Sequence, residues 1–159
     1  MIKECNILYD KNDFPVLNTM RSYKDAPKDE DSIISQIKYL DAKTQLKDLA
    51  YEQLYVLSHN INGSLKAFMC VGIGDYDHCD VFFRNIGMFL LLSGAEKATL
   101  VHNHPENVRE QSESDIDFTE TFENICNMFN IQCGGSYIVC RDGITIIPNE
   151  IFFDWRLVA

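Results

Sequence analysis

The chain has 159 residues, 46% of them hydrophobic and 24% charged, and carries a formal net charge of −10. That length accommodates one domain with a hydrophobic core, and the composition excludes a disordered or fibrous chain. Its 14 Lys and Arg form no run, which argues against a broad nucleic-acid-binding face, because neutralising phosphates requires clustered cations.

Residues 1–31 contain Pro15, Pro27 and the charged run from Lys24 to Asp31, and are expected to form a polar, irregular arm before a domain spanning residues 32–159. The first residues lack the basic and apolar regions of a signal peptide. From Ser32, Ile33, Ile34, Ile37 and Leu40 recur at helical spacing, and a second short helical piece is expected over residues 42–50. The period then changes. Apolar runs at 54–57 and 65–71 flank Asn60-Ile61-Asn62-Gly63, a strong hairpin signal. In that setting the sequon Asn62-Gly63-Ser64 reads as a turn, and His59 beside it is expected to be exposed.

A polar loop containing Asp75, Asp77, His78 and Asp80 is expected next; it lacks the glycine and final glutamate of a calcium loop. Residues 81–93 predict a helix buried on most sides, stopped at Gly94. No apolar stretch approaches the roughly 18 residues of a bilayer span, so a cytoplasmic protein without membrane contact is expected. Ala98 to Val101 begin a strand that Pro105 ends. Phe118, Phe122, Ile125 and Phe129 mark one face of a further helix, and Arg141-Asp142-Gly143 lies between two apolar runs as a second hairpin. The six cysteines include no Cys-x-x-Cys pair and read as reduced thiols, with a cysteine-based metal site as the alternative. The element order predicts an α/β fold with a mixed sheet and helices packed on it.

The chemistry concentrates in His102-Asn103-His104-Pro105, Ser112 and Asp115. Residues i and i+2 of a strand project from one face, so both imidazoles can reach one metal ion. Asp115 can supply a third ligand, and three protein ligands leave the fourth tetrahedral position of zinc open, as in catalytic sites. Each part also has a plain structural reading. A His-x-His pair can face a polar surface, and Ser112-x-x-Asp115 resembles a capping box, as does Ser114-x-x-Asp117. The combination favours a site, for which Glu52 is the candidate general base.

The series Glu52, His102-Asn103-His104-Pro105, Ser112-x-x-Asp115 resembles the JAMM motif of the JAB/MPN metallopeptidases, and the HNHP form resembles their RadC-like branch. Arg84, Thr119 and Tyr137-Ile138-Val139 also fall where RadC-like domains have similar residues, so the resemblance runs from about residue 32 to 150. It implies the MPN/JAB fold, related to cytidine deaminases, with a mixed sheet sandwiched by helices. It implies zinc on His102, His104 and Asp115, with Glu52 as general base and Ser112 stabilising the oxyanion. The implied reaction is hydrolysis of a peptide or isopeptide bond, with a ubiquitin-like conjugate among the possible substrates. Glu106-Asn107, Phe83 and Gly135-Ser136 depart from the usual RadC-like pattern of Ser-Gly, proline and Asp-His at those places, which bears on specificity rather than on the ligands. No helix-hairpin-helix segment is read before the domain, and with the acidic charge no nucleic-acid role is expected. The alternative is a catalytically silent MPN-type binding module in DNA repair or mobile-element biology. A zinc nucleobase deaminase fits the implied fold but not the ligands, since the paired cysteines are absent.

Overall fold

In the computed structural model the described residues are 1–75, 78–81 and 83–156. Among them nine strands join one mixed sheet, with the order β2-β1-β4-β3-β6-β7-β8-β9 and β5 paired to β4. The strands are β1 (Ile2–Tyr9), β2 (Pro15–Tyr23), β3 (Glu52–His59), β4 (Leu65–Asp75), β5 (His78–Val81), β6 (Lys97–Asn103), β7 (Gln132–Val139), β8 (Gly143–Ile147) and β9 (Ile151–Asp154). Three helices, α1 (Ile33–Thr44), α2 (Phe83–Leu92) and α3 (Glu113–Met128), cover the sheet.

The central strands carry near-continuous apolar runs because both of their faces are buried. On β3, Leu54 and Val56 enter one core with Ile86, Phe89 and Leu90 of α2 and Phe122 and Cys126 of α3. Tyr55 and Leu57 enter the other, against Ile37 and Leu40 of α1. Helices therefore sandwich the sheet. The β3–β4 and β7–β8 hairpins form where Asn-Gly and Asp-Gly predict them. The β6–α3–β7 segment is a parallel crossover, with Val101 beside Tyr137 and His102 beside Ile138.

Four expectations are corrected. The arm is not irregular: β1 and β2 pair antiparallel, and β1 joins the sheet by a short parallel pairing with β4. Its apolar residues serve both cores, Ile2 on the α1 side and Cys5 and Ile7 on the other, so no clean alternation marks it in the sequence. The second short helical piece is only a 3-10 turn at Leu46–Asp48, after Gln45 closes α1 in a left-handed conformation. In place of the expected loop at 75–80 and the early start of the next helix, the described residues are strand, since β4 runs to Asp75 and pairs with β5 (His78–Val81), and α2 is Phe83–Leu92; residues 76 and 77 of that expectation lie outside the described residues. Side chains of the acidic cluster there (Asp75, Asp77, His78, Asp80) lie outside the described residues.

The fourth correction concerns His59. It is 1% exposed, not surface, because β3 continues through it with strands on both sides. Its Nε2 lies 2.9 Å from Thr99 Oγ1. Burial, with Lys97 adding to it, lowers its pKa from 6.5 to about 4. The unfolded chain thus binds more protons than the folded one between these values. Stability from this group is complete above pH 6.5 and is lost as the pH falls toward 4, by about 3 kcal/mol at about 1.4 kcal/mol per pKa unit. Denaturant unfolding at pH 7 and pH 4.5 should show this drop, and His59→Gln should flatten it; equal slopes for the two proteins would remove His59 as its source.

Candidate metal centre

His102 is the penultimate residue of β6, and His104 follows the strand's last residue while its backbone N–H still donates to Val139 O at 2.9 Å. Extended backbone through both residues puts the two imidazoles on one side, as their i, i+2 spacing predicts. After the connecting loop, Ser112 caps α3 and Asp115 occupies the third helical position. Ser112 Oγ accepts from the Asp115 backbone N–H at 3.1 Å, and Asp115 Oδ2 accepts from the Ser112 N–H at 2.9 Å. The capping box therefore sits at 112/115, not at 114/117, and it aims the Asp115 carboxylate back at the strand end. Thr119 supports that turn by donating from Oγ1 to Asp115 O at 2.8 Å.

Nε2 of His102 lies 3.0 Å from Asp115 Oδ1, Nε2 of His104 lies 3.1 Å from Asp115 Oδ2, and the two Nε2 atoms are 3.3 Å apart. All three residues are buried, with exposures of 6%, 8% and 6%. Ligands bound to zinc at about 2.0–2.1 Å in tetrahedral geometry stand about 3.3 Å from one another, so this donor set fits a zinc ion.

The hydrogen bonding strengthens that fit. His104 Nδ1 lies 3.0 Å from Val108 O, a pure acceptor, which puts the proton on Nδ1 and leaves Nε2 as a lone pair in the neutral ring. That lone pair then faces a carboxylate, and two acceptors in contact at a buried place require a cation between them. Burial opposes a charged His104, but the hydrogen bond and charge of Asp115 outweigh it and raise its pKa. Burial also works against the Asp115 carboxylate, yet the His102 and His104 hydrogen bonds hold its pKa well below the usual range. Among the described residues this triad is the group of three or more His, Cys, Asp or Glu side chains arranged to hold a metal ion. No such group contains a cysteine, and Cys5, Cys70, Cys126, Cys133 and Cys140 are free thiols.

A scan of family models matches residues 32–149 to the RadC-like JAB domain. The chain belongs to the RadC-like JAB domain family. No curated protein matches the chain in a sequence comparison. The mixed sheet between helices agrees with the JAB/MPN fold expected from the motif. Among the described residues of this RadC-like domain, no helix is long and apolar enough to cross a membrane.

Glu52 opens β3 on the side of the sheet that carries His102, which pairs with Leu54 in the neighbouring strand. It is half-buried, and burial raises its pKa against the lowering influence of His102 and His104. One positioning residue escaped the sequence reading. Asn103, fully buried between the two histidines, donates from Nδ2 to Tyr51 O at 2.9 Å and accepts the Gln53 N–H on Oδ1 at 2.7 Å. Its side chain thus grips the backbone on both sides of Glu52. The only sequence signal was its place inside the His-x-His pair, because the partners are fifty residues away.

Ser112→Ala removes the acceptor for the Asp115 N–H and should destabilise the metal-free protein by about 1 kcal/mol. Thermal or denaturant unfolding in chelator checks this; unchanged stability would mean that the cap contributes nothing.

Proposed function

We propose that this RadC-like domain is a zinc-dependent metallohydrolase that cleaves a peptide or isopeptide bond. The observation that carries the reading is the convergence of three buried donors: the two imidazole Nε2 atoms stand 3.3 Å apart, the length of an edge of a zinc coordination tetrahedron, and each faces an Asp115 carboxylate oxygen at 3.0–3.1 Å. Nε2 of His102, Nε2 of His104 and the Asp115 carboxylate would hold the ion. Zinc in such a site supplies a Lewis acid that acidifies water and polarises a carbonyl group.

The chain's own residues supply the remaining work. Glu52 accepts the proton of the attacking water and returns it to the leaving amine, a role suited to a carboxylate whose pKa partial burial raises. Asn103 holds the backbone that carries Glu52. Ser112 uses its Oγ lone pair as a helix cap, which leaves its hydroxyl proton free to donate to the developing oxyanion. The substrate is a protein or peptide, with isopeptide-linked ubiquitin-like conjugates as one class.

Metal analysis of native protein should give one zinc per chain, lost in His102→Ala or His104→Ala. Glu52→Gln should keep the metal and lower cleavage of a peptide library, or of an isopeptide-linked conjugate panel, by about 10²–10⁴-fold. Zinc-loaded protein that cleaves none of these substrates would instead indicate a silent binding module. Native protein without zinc would overturn the metal assignment.

A further inference from the structure

Residues 105–111 link two elements of the metal centre, His104 and the capped start of α3, without a helix or strand of their own. This loop is held from outside. Arg141 Nη1 donates to Pro105 O at 2.9 Å, and the Asp142 N–H donates to Asn107 Oδ1 at 3.1 Å. Gln111 donates from Nε2 to Pro148 O at 2.9 Å and from its backbone N–H to Glu150 Oε1 at 3.1 Å. Between these bonds the Arg109 guanidinium lies over the Phe152 ring, 3.9 Å from its centroid, and 3.3 Å from the Asp142 carboxylate. All of the partners belong to residues 141–152, which lie in the β8–β9 hairpin and the turn leading into it.

The ring has a built seat. It lies over Gly143, where an added Cβ would come within 2.8 Å of Phe152 Cζ and 1.9 Å of Phe153 O, so any side chain there would displace the strand. The loop in turn touches His104 twice: the Asn107 N–H donates to its backbone carbonyl at 3.0 Å, and its imidazole Nδ1 donates to Val108 O at 3.0 Å. Val108 is 42% exposed and has little packing of its own, so its carbonyl stands where its neighbours put it.

We propose that the β8–β9 hairpin is a clamp on this loop, and that Arg109 and Phe152 are positioning residues which, through the Val108 carbonyl, hold His104 in its metal-ligating tautomer and orientation. The inference rests on the zinc reading above. An ion pair this exposed contributes little by itself, so the stacked guanidinium plane is the element that fixes the geometry. A lysine would keep the charge but not the plane. Phe152 and Glu150 lie just beyond residues 32–149, which the family model matches.

The test measures zinc affinity of the full chain by chelator competition, together with the absorption spectrum of the cobalt(II)-substituted protein. Arg109→Ala and Phe152→Ala should each bind zinc about 10–100-fold more weakly, with an altered cobalt spectrum and unchanged circular dichroism of the metal-free protein. Phe152→Tyr, which keeps the ring, should restore affinity. Wild-type affinity and an unaltered spectrum in Arg109→Ala overturn the clamp while leaving the metal centre intact, as does a loss of affinity that Phe152→Tyr shares. Arg109 is a surface residue, so its variant gives this readout even if Phe152→Ala does not fold. Failure of the wild-type protein to bind zinc overturns the metal reading, and the clamp with it.

Discussion

The Asp115 carboxylate answers three demands at once, and the site exists because a single position satisfies all of them. It accepts the Ser112 N–H, which would otherwise be unpaired at the helix start, and it faces the Nε2 atoms of two buried histidines. The first bond ties the acid to the start of α3. The strand-to-helix crossover brings that helix start to the end of β6, where the histidines are. Burial alone would favour the neutral acid; the imidazoles reverse that preference and keep the group anionic. A buried anion beside two imidazoles is an electrostatic demand for a cation, whether protons or a metal ion.

Register carries the same constraint across the sheet. In β6 and its extension, alternate residues do different work: His102 and His104 face the ion position, while Asn103 reaches the backbone at both sides of Glu52. A slip of one residue between β3 and β6 would turn the histidines into the opposite core and release Glu52. The double-sided burial of these strands prevents the slip, because Leu54, Val56 and Leu100 fit one core and Tyr55, Leu57 and Val101 the other. Core packing and site geometry are therefore one requirement, not two.

The edges of the sheet lie outside the residues that the family model matches. The β1–β2 hairpin precedes the matched residues and extends the sheet beyond β4. At the other edge, β9 pairs with β8 and supplies Phe152, over which Arg109 lies. Both edges place apolar or stacking side chains against a scaffold that the central strands define.

Local periodicity and the spacing of a few polar residues made much legible in advance: two hairpins, the helical faces of α1 and α3, a mixed sheet between helices, and the membership of His102, His104 and Asp115 in one cluster. These features depend on near neighbours in the chain, where strand and helix periods and a short strand-to-helix loop dictate direction. What the sequence left undecided depends on distant partners. In the arm, β1 pairs in parallel with β4 and its apolar residues feed two cores, so it carries no clean alternation. His59 looked exposed beside its turn until strands closed over it from both sides. Ser112 and Ser114 were equal caps until the carboxylate of Asp115 found the histidines. Asn103, Arg109 and Phe152 gained their roles only when segments thirty to fifty residues away came into contact. Residue chemistry by itself determined which groups can hold a metal ion; tertiary packing decided how close they stand and what keeps them there.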